Sequence, residues 1–209
     1  MRRFEHEVRQ TVRDLVNLLG SAATVSLRDA QERALRIANS VAFMAVDDPS
    51  RGHLTYSSSI LSVYRELRVK LVSTRSALQI LGDALFEGAV NDAPAYAYKR
   101  LELPASEDAV SPDWIAHQFA TRGRALYGRS FRYIREHELD GRHTVRVEKC
   151  FFYEFFRGSN APEVTPLLCR LDYAWIEALR RKHPNIQFDR PTTLASNGDA
   201  CRFQFWQKE

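Results

Sequence analysis

An α+β fold is predicted by a change in hydrophobic period near the middle of the 209-residue chain. Over the first ninety residues, apolar side chains recur at intervals of three and four, which is typical of amphipathic helices. From residue 131 onward they alternate, as in half-buried strands, and two Gly-containing turns indicate β-hairpins. We therefore expect one domain (1–209), with an N-terminal helical half (about 1–122) packed beside an α+β half (about 123–209). In the second half, a mainly antiparallel sheet of two hairpins has a central helix between them.

Four helices are predicted in the helical half from apolar stripes and capping residues. The first helix carries an apolar stripe from Phe4 to Leu19 and ends at Gly20, and the second follows the Ser26–Asp29 capping box and ends before Pro49. The third runs from about Ile60 to Leu71, and the fourth runs from an N-cap at Thr74 to near Gly88. Residues 91–111 contain two prolines and no clear period, so we interpret them as a loop that either covers a site or connects the two halves. Ser111 then caps a short helix through Phe119.

The rest of the chain is predicted to form two hairpins with a helix between them. The first predicted hairpin has Phe131 and Tyr133 on one strand, a turn at Asp140-Gly141, and Val145 and Val147 on the return strand. A helix follows from about Pro162 to Lys182, and its predicted buried residues are Leu168, Leu171, Trp175 and Leu179. The last predicted hairpin runs from Ile186 to Ser196, turns at Asn197-Gly198-Asp199 and returns through Cys201, Phe203 and Phe205. The predicted helix packs on one face of the predicted sheet.

Composition and charge exclude several classes of partner. The chain has 30 Lys and Arg against 26 Asp and Glu, and a net charge of +4 is too small an excess to indicate nucleic-acid binding. No apolar run reaches the length of a signal peptide or a transmembrane helix, so we expect a cytoplasmic protein without membrane contact. A homodimer through the helical half is compatible with its apolar stripes, although no sequence feature determines a symmetry.

Common catalytic and cofactor motifs are absent from the sequence. There is no GxxxxGK[ST], GxGxxG, HExxH or GxSxG pattern, and the six His are scattered. The cysteines Cys150, Cys169 and Cys201 form no CxxC pair, and their spacings match no common zinc motif. We therefore expect no structural disulfide, no metal and no cofactor.

A thiol and a carboxylate are predicted to lie together on the central helix. Cys169 and Asp172 are three residues apart and therefore share a helix face. A thiolate can attack an electrophilic C=N carbon, and a carboxylate can carry protons. Because the carboxylate also raises the pKa of a neighbouring thiol, a cation has to offset it, and Arg190 is the candidate. The alternative is structural, since a free cysteine on a core helix is usually inert packing.

Five short segments near the C-terminus occur in a distinctive order and spacing. They are Cys150-Phe-Phe-Tyr-Glu, Ala161-Pro-Glu-Val, Leu168-Cys169-Arg-Leu-Asp172-Tyr, Phe188-Asp-Arg190-Pro-Thr-Thr-Leu194 and Gly198-Asp-Ala-Cys201-Arg-Phe203. Together they make residues 145–206 resemble the C-terminal signature of the L-2-amino-thiazoline-4-carboxylic acid hydrolase family. The helical half resembles that family only in its general pattern.

The resemblance implies hydrolysis of a small cyclic amidine that carries a carboxylate, in a biosynthetic or catabolic pathway. The five-membered ring would open at a C–N or C–S bond. The matching positions provide the candidates: Cys169 or Cys150 as nucleophile toward the C=N carbon, Asp172 as proton donor and acceptor, Arg190 as anchor for the substrate carboxylate, and Thr193 and Cys201 as further substrate-binding residues. Phe151 and Arg202 depart from the family, which often has Pro and an acidic residue there. These departures alter the presentation of Cys150 and the local charge.

Two other functions are compatible with the sequence. The final strand, turn and strand are also similar to vinyl-reductase-type sensing domains, which favours a non-catalytic small-molecule-binding domain. Its apolar pocket would be lined by Phe151, Phe155, Phe156 and Trp175. A protein-interaction unit that uses the helical stripes is the third alternative. Pocket polarity separates the first two readings, because a hydrolase pocket should gather Cys, Asp and Arg, whereas a sensor pocket should be mostly aromatic.

Overall fold

The computed structural model describes residues 2–20, 24–71, 73–101, 110–137 and 141–208. These ranges confirm the α+β class, with helices first and the sheet in the second half. The elements are α1 (Arg2–Leu19), α2 (Leu27–Ser40), α3 (Asp48–Lys70), α4 (Thr74–Leu101), α5 (Pro112–Tyr127), β1 (Arg132–His137), β2 (His143–Lys149), α6 (Phe151–Gly158), α7 (Thr165–Lys182), β3 (Ile186–Asp189) and β4 (Cys201–Gln207). Within the described ranges, no helix has the length and apolar content needed to cross a membrane.

The helical half is organised around α3. The predicted stripe of α1 is confirmed, with Val8 and Val12 fully buried. Helices α1 and α2 pack against α3 and against each other. Short side chains allow this close approach, since Ser57, Ser58 and Ser62 of α3 are completely buried, and the Ser62 hydroxyl donates to a carbonyl of α2 at 2.7 Å.

Helix α3 begins twelve residues earlier than the sequence predicts. The Asp47 carboxylate accepts the Ser50 N–H at 2.9 Å, and the Ser50 hydroxyl oxygen accepts the Asp47 N–H at 2.9 Å, so the two residues form a capping box. Pro49 occupies the first turn, where its missing N–H costs nothing. The predicted start near Ile60 is therefore wrong, because Pro49 opens α3. The preceding helix, α2, has already ended at Ser40.

Helix α4 continues past its predicted stop near Gly88 and runs to Leu101. The predicted loop is therefore wrong for residues 91–101, and residues 102–109 lie outside the described residues. A glycine inside a helix costs only about 1 kcal/mol, which tertiary packing can outweigh. Here α4 packs along α7, and a Cβ at Gly82 would lie 2.9 Å from a methyl group of Leu167. The lack of a side chain at Gly82 thus allows α4 and α7 to lie close together.

The four strands form one antiparallel sheet in the order β1-β2-β4-β3, which confirms the two predicted hairpins. Strand pairing places one set of apolar side chains on the same face: Tyr133, Val145, Val147, Phe188, Cys201, Phe203 and Phe205. On the opposite face, Arg146 bridges Glu136 and Glu148. The first turn is described only from Gly141, so Asp140 lies outside the described residues. Strand β3 is shorter than predicted and ends at Asp189.

Helices α5 and α7 pack against the sheet, and α6 packs against α3 and α7. The Ser111 cap of α5 is confirmed, but the helix extends beyond Phe119 to Tyr127. It approaches β1 closely at Gly123, where a Cβ would lie 2.7 Å from the Tyr133 ring. Helix α7 agrees with the predicted central helix after a short 3-10 turn. Helix α6, which follows Cys150 directly, is absent from the sequence-based prediction.

Candidate functional site

A cavity of about 520 Å³ lies between the apolar face of the sheet and helices α3, α5, α6 and α7. Five of the six predicted site residues line it: Cys150, Cys169, Asp172, Arg190 and Cys201. They come from the start of α6, the middle of α7, the segment after β3 and the start of β4. The fold therefore gathers side chains from the segment between Cys150 and Cys201 into one cavity. Thr193 is not among the lining residues, and its hydroxyl accepts the Ser196 N–H at 3.1 Å.

Asp172 and Arg190 form the central ion pair of the cavity. Nη1 of Arg190 lies 3.1 Å from Oδ2 of Asp172, and its Nη2 donates to the Cys169 carbonyl at 2.8 Å. The other carboxylate oxygen accepts the Trp175 indole N–H at 3.3 Å. Three hydrogen bonds therefore hold the carboxylate and the guanidinium in one orientation relative to α7.

Arg190 is almost completely enclosed. Its side chain is only 5% exposed, and its guanidinium carbon lies 4.7 Å from the Tyr173 ring centre and 5.3 Å from that of Phe203. Burial alone lowers the pKa of Arg190, but the Asp172 carboxylate reverses this effect and raises it. Nε is buried and makes no hydrogen bond with the described residues. Nη1 and Nη2 each carry a second N–H beside these bonds, so these two N–H groups and Nε are the donors left for a ligand.

All three thiols are free and are held in the protonated form. Burial raises the pKa of Cys169 to about 12, with Arg190 opposing this rise and Asp172 adding to it. Burial also raises the pKa of Cys150 well above its ordinary value, and the Tyr153 N–H at the start of α6 opposes the rise. For Cys201, burial raises the pKa although its sulfur accepts the Leu194 N–H at 3.3 Å. None of them is a ready thiolate at neutral pH.

His53 lines the cavity, although the sequence assigns it no role. Its Nε2 lies 3.3 Å from the Tyr127 carbonyl oxygen, and because a carbonyl only accepts, Nε2 carries the proton. Burial lowers the pKa of His53, so the imidazole is neutral at pH 7. Its ring contacts come from residues 74 or more positions away, and no local pattern around His53 indicates them.

Thr165 is a second lining residue that the sequence reasoning missed. It opens α7, is 2% exposed, and its hydroxyl makes no hydrogen bond with the described residues. A buried hydroxyl without a partner is costly unless a ligand or water satisfies it. Thr165 is therefore a further candidate for a polar contact with a bound molecule.

Both kinds of lining that distinguish a hydrolase from a sensor are present. The polar group contains Cys, Asp and Arg, while the aromatic rings are Tyr56, Phe119, Tyr127, Phe131, Tyr133, Phe152, Trp175 and Phe203. Of the four rings predicted for a sensor pocket, only Trp175 lines this cavity. Phe151, Phe155 and Phe156 are buried in the core. Across the described ranges, no three His, Cys, Asp or Glu side chains are grouped so that they could hold a metal ion.

Comparison with known proteins identifies one family. The model of the family described as L-2-amino-thiazoline-4-carboxylic acid hydrolase matches residues 53–205, which is more than half of the chain. The matched range contains every cavity-lining residue named above, and it begins at His53, inside α3. The similarity therefore extends well beyond residues 145–206. No curated protein and no solved structure matches the chain.

Proposed function

We propose a function from one premise: this chain belongs to the L-2-amino-thiazoline-4-carboxylic acid hydrolase family. The family name indicates a hydrolase-type function. We infer that the chain opens a small cyclic amidine of thiazoline type that carries a carboxylate. The observation that supports this proposal is the convergence of a thiol, a carboxylate and a guanidinium, from Cys169, Asp172 and Arg190, on one largely apolar cavity.

The first chemical step is thiol addition, with Cys169 as nucleophile and Cys150 as the alternative. Because the pKa of Cys169 is raised to about 12, the thiol has to lose its proton during the attack. A bound amidine provides the acceptor. As sulfur forms a bond to the C=N carbon, the π electrons move to the ring nitrogen, and that nitrogen takes the thiol proton. The buried thiol thus reacts only when a basic substrate is present.

Ring opening and release follow from the same intermediate, with Asp172 as the proton carrier. The tetrahedral carbon breaks one of its ring bonds, C–S or C–N, and the departing heteroatom keeps the electron pair and receives a proton through Asp172. Water then adds to the same carbon, and the cysteine departs and is protonated. The net reaction consumes one water molecule and regenerates the thiol.

Arg190 is proposed to bind the substrate carboxylate through the N–H groups that remain on its guanidinium after Nη1 has donated to Asp172 and Nη2 to the Cys169 carbonyl. A charged donor that is buried and unpartnered at one atom favours an anionic ligand. This arrangement places the substrate anion beside the same side chain that orients the proton carrier. Thr165 and Cys201 also line the cavity and are proposed as additional contacts.

Loss of 2-amino-thiazoline-4-carboxylate and appearance of the ring-opened product test this proposal. Wild type should turn over, and Cys169→Ala should lose activity by at least about a thousandfold if Cys169 is the nucleophile. Cys150→Ala tests the alternative nucleophile, Cys201→Ala tests the proposed substrate contact of that thiol, and Asp172→Asn tests proton transfer. Circular dichroism verifies folding of each variant. Retained activity in both Cys169→Ala and Cys150→Ala would exclude covalent attack by either residue.

A non-catalytic small-molecule-binding domain is the second candidate, favoured by the aromatic lining and by three protonated thiols. A folded wild-type protein that binds the ring acid without consuming it, across a panel of cyclic amidine acids, would support this candidate and contradict the hydrolase.

A further inference from the structure

The cavity has a second end that the proposed chemistry does not use. A series of ring contacts follows the cavity wall away from Arg190. The centre-to-centre distances are 4.7 Å from Phe203 to Phe119, 5.8 Å from Phe119 to Tyr133, 6.0 Å from Tyr133 to Phe131 and 5.4 Å from Phe131 to His53. Since Arg190 lies against Phe203, four aromatic side chains of this series separate Arg190 from the ring of His53.

The far end, which we call the aromatic end, consists of His53, Tyr127, Phe131 and Phe152. His53 stacks on Tyr127 at 5.1 Å and meets Phe152 edge-on at 5.3 Å, while Phe131 lies 4.8 Å from Tyr127 and 5.6 Å from Phe152. All four side chains line the cavity. Because burial lowers the pKa of His53, none of them is charged at neutral pH. An uncharged wall of flat rings suits another flat apolar group.

The size of the cavity indicates the same kind of ligand. A volume of about 520 Å³ falls within the range of about 300–1,000 Å³ that holds a drug-sized molecule. A single five-membered ring with one carboxylate is much smaller than that. When its carboxylate is bound at Arg190 and its amidine carbon lies at a thiol, such a molecule does not reach the aromatic end. The apolar rings there then stay in contact with water, and no free energy is gained by burying them.

We infer that the aromatic end is a second binding subsite and that the substrates of this chain are cyclic amidine acids with a flat aromatic substituent on the ring. The inference rests on the proposed function for the reacting ring. The carboxylate and the amidine occupy the polar end, and the substituent lies against Phe131 and Phe152. Cys150 lines the cavity and lies two residues before Phe152 of the aromatic end, so the two ends are close in the chain at this point.

Calorimetric titration with a matched pair of ligands tests the inference. The pair is 2-amino-thiazoline-4-carboxylate and its 5-phenyl derivative, titrated into the full-length Cys169→Ala,Cys150→Ala protein so that turnover does not interfere. We expect the phenyl derivative to bind about ten- to a hundredfold more tightly, as burial of one ring predicts. Phe152→Ala in that background should remove most of the difference and leave the affinity of the unsubstituted acid nearly unchanged.

Phe86→Ala is the matched control, because Phe86 is also a half-buried phenylalanine on a helix and does not line the cavity. If Phe152→Ala does not fold, Phe152→Leu keeps more of the apolar side chain and removes the flat ring, and should still weaken binding of the phenyl derivative selectively. Equal affinity of the two ligands, or equal effects of Phe152→Ala and Phe86→Ala, would overturn the subsite.

Failure of the subsite and failure of the hydrolase are distinguishable. Wild-type turnover of the unsubstituted acid, together with equal binding of both ligands, overturns the subsite and keeps the hydrolase. Tight binding of the phenyl derivative that depends on Phe152, with no turnover of either ligand by wild type, supports the subsite and overturns the hydrolase.

Discussion

The two ends of the cavity are built in different ways. The polar end comes from residues 150–201 and is held by directional bonds, in which Arg190 binds Asp172 and the Cys169 carbonyl. The aromatic end is assembled from α3, the end of α5, the residue before β1 and the start of α6, and is held mainly by ring packing, together with the hydrogen bond from His53 to the Tyr127 carbonyl. Hydrogen bonds fix angles within narrow limits, whereas packed rings define a shape. The polar end is therefore suited to chemistry and the aromatic end to selection by size.

The charged groups of the polar end do not make its cysteines reactive. The polar end contains a buried cation and a carboxylate, yet burial keeps its thiols protonated. Raised thiol pKa values mean that the cysteines stay unreactive toward general electrophiles and depend on a basic ligand for activation. This property leads to a prediction about the unliganded protein.

The largest expected effect is on Cys169 alkylation. Raising its pKa from 9.0 to about 12 lowers the thiolate fraction about a thousandfold at pH values below 9. Iodoacetamide should therefore label Cys169 in the folded protein at least about a thousand times more slowly than in urea. The folded-state rate should keep rising about tenfold per pH unit beyond pH 9, where an ordinary thiol levels off. Mass spectrometry of the Cys169 peptide measures both rates, and a plateau near pH 9 in the folded protein would contradict the assignment.

The second prediction tests the ion pair that distinguishes the polar end. Arg190→Leu leaves the Asp172 carboxylate and the Cys169 carbonyl without their buried donor. We expect the free energy of unfolding to fall by about 2–4 kcal/mol, which is typical when one partner of a largely buried pair is removed. Urea denaturation measures the loss. The control is Arg170→Ala, whose exposed pair with Asp83 should contribute less than about 1 kcal/mol. Equal losses would mean that the polar end is not stabilised by this pair.

The smallest effect concerns Asp47, which connects the start of α3 to the segment before β1 and so supports the aromatic end. Its carboxylate accepts the N–H groups of Ser50 and Arg129, at 2.9 and 2.7 Å. Burial opposes ionisation of Asp47, but these two bonds and the Ser50 hydroxyl lower its pKa from 3.8 to about 2. Asp47→Ala should therefore lower the free energy of unfolding at pH 7 by about 1–2 kcal/mol, as for a lost helix cap.

The pH dependence of that loss has a defined sign. Because the folded-state pKa of Asp47 lies below its unfolded value, its stabilisation is complete above pH 3.8 and disappears as the pH falls through about 2. Denaturation curves of wild type and Asp47→Ala should converge over this range. A difference that stays constant down to pH 2 would show that the charge of Asp47 does not contribute.

Local patterns account for much of the fold and for most of the polar end. Hydrophobic period separates helices from strands, which is why the α+β class and both hairpins could be predicted. The Ser111 cap could be predicted because a cap involves only neighbouring residues. Cys169 and Asp172 lie together because a helix places residues three apart on one face. Local reasoning fails at Pro49, which was interpreted as a stop although it opens α3, and at Gly88, which α4 passes through.

The sequence by itself determined the α+β class, the two hairpins, most of the helices and which residues near the C-terminus carry reactive groups. Only the tertiary structure decided that α4 extends along α7, that Arg190 binds α7 with both terminal nitrogens, and that His53 joins Tyr127 and Phe152 across the cavity. The physical reason is the range of the interactions. Backbone propensity and capping act over a few residues, whereas the contacts that enclose the cavity join residues that meet only after the helices pack on the sheet.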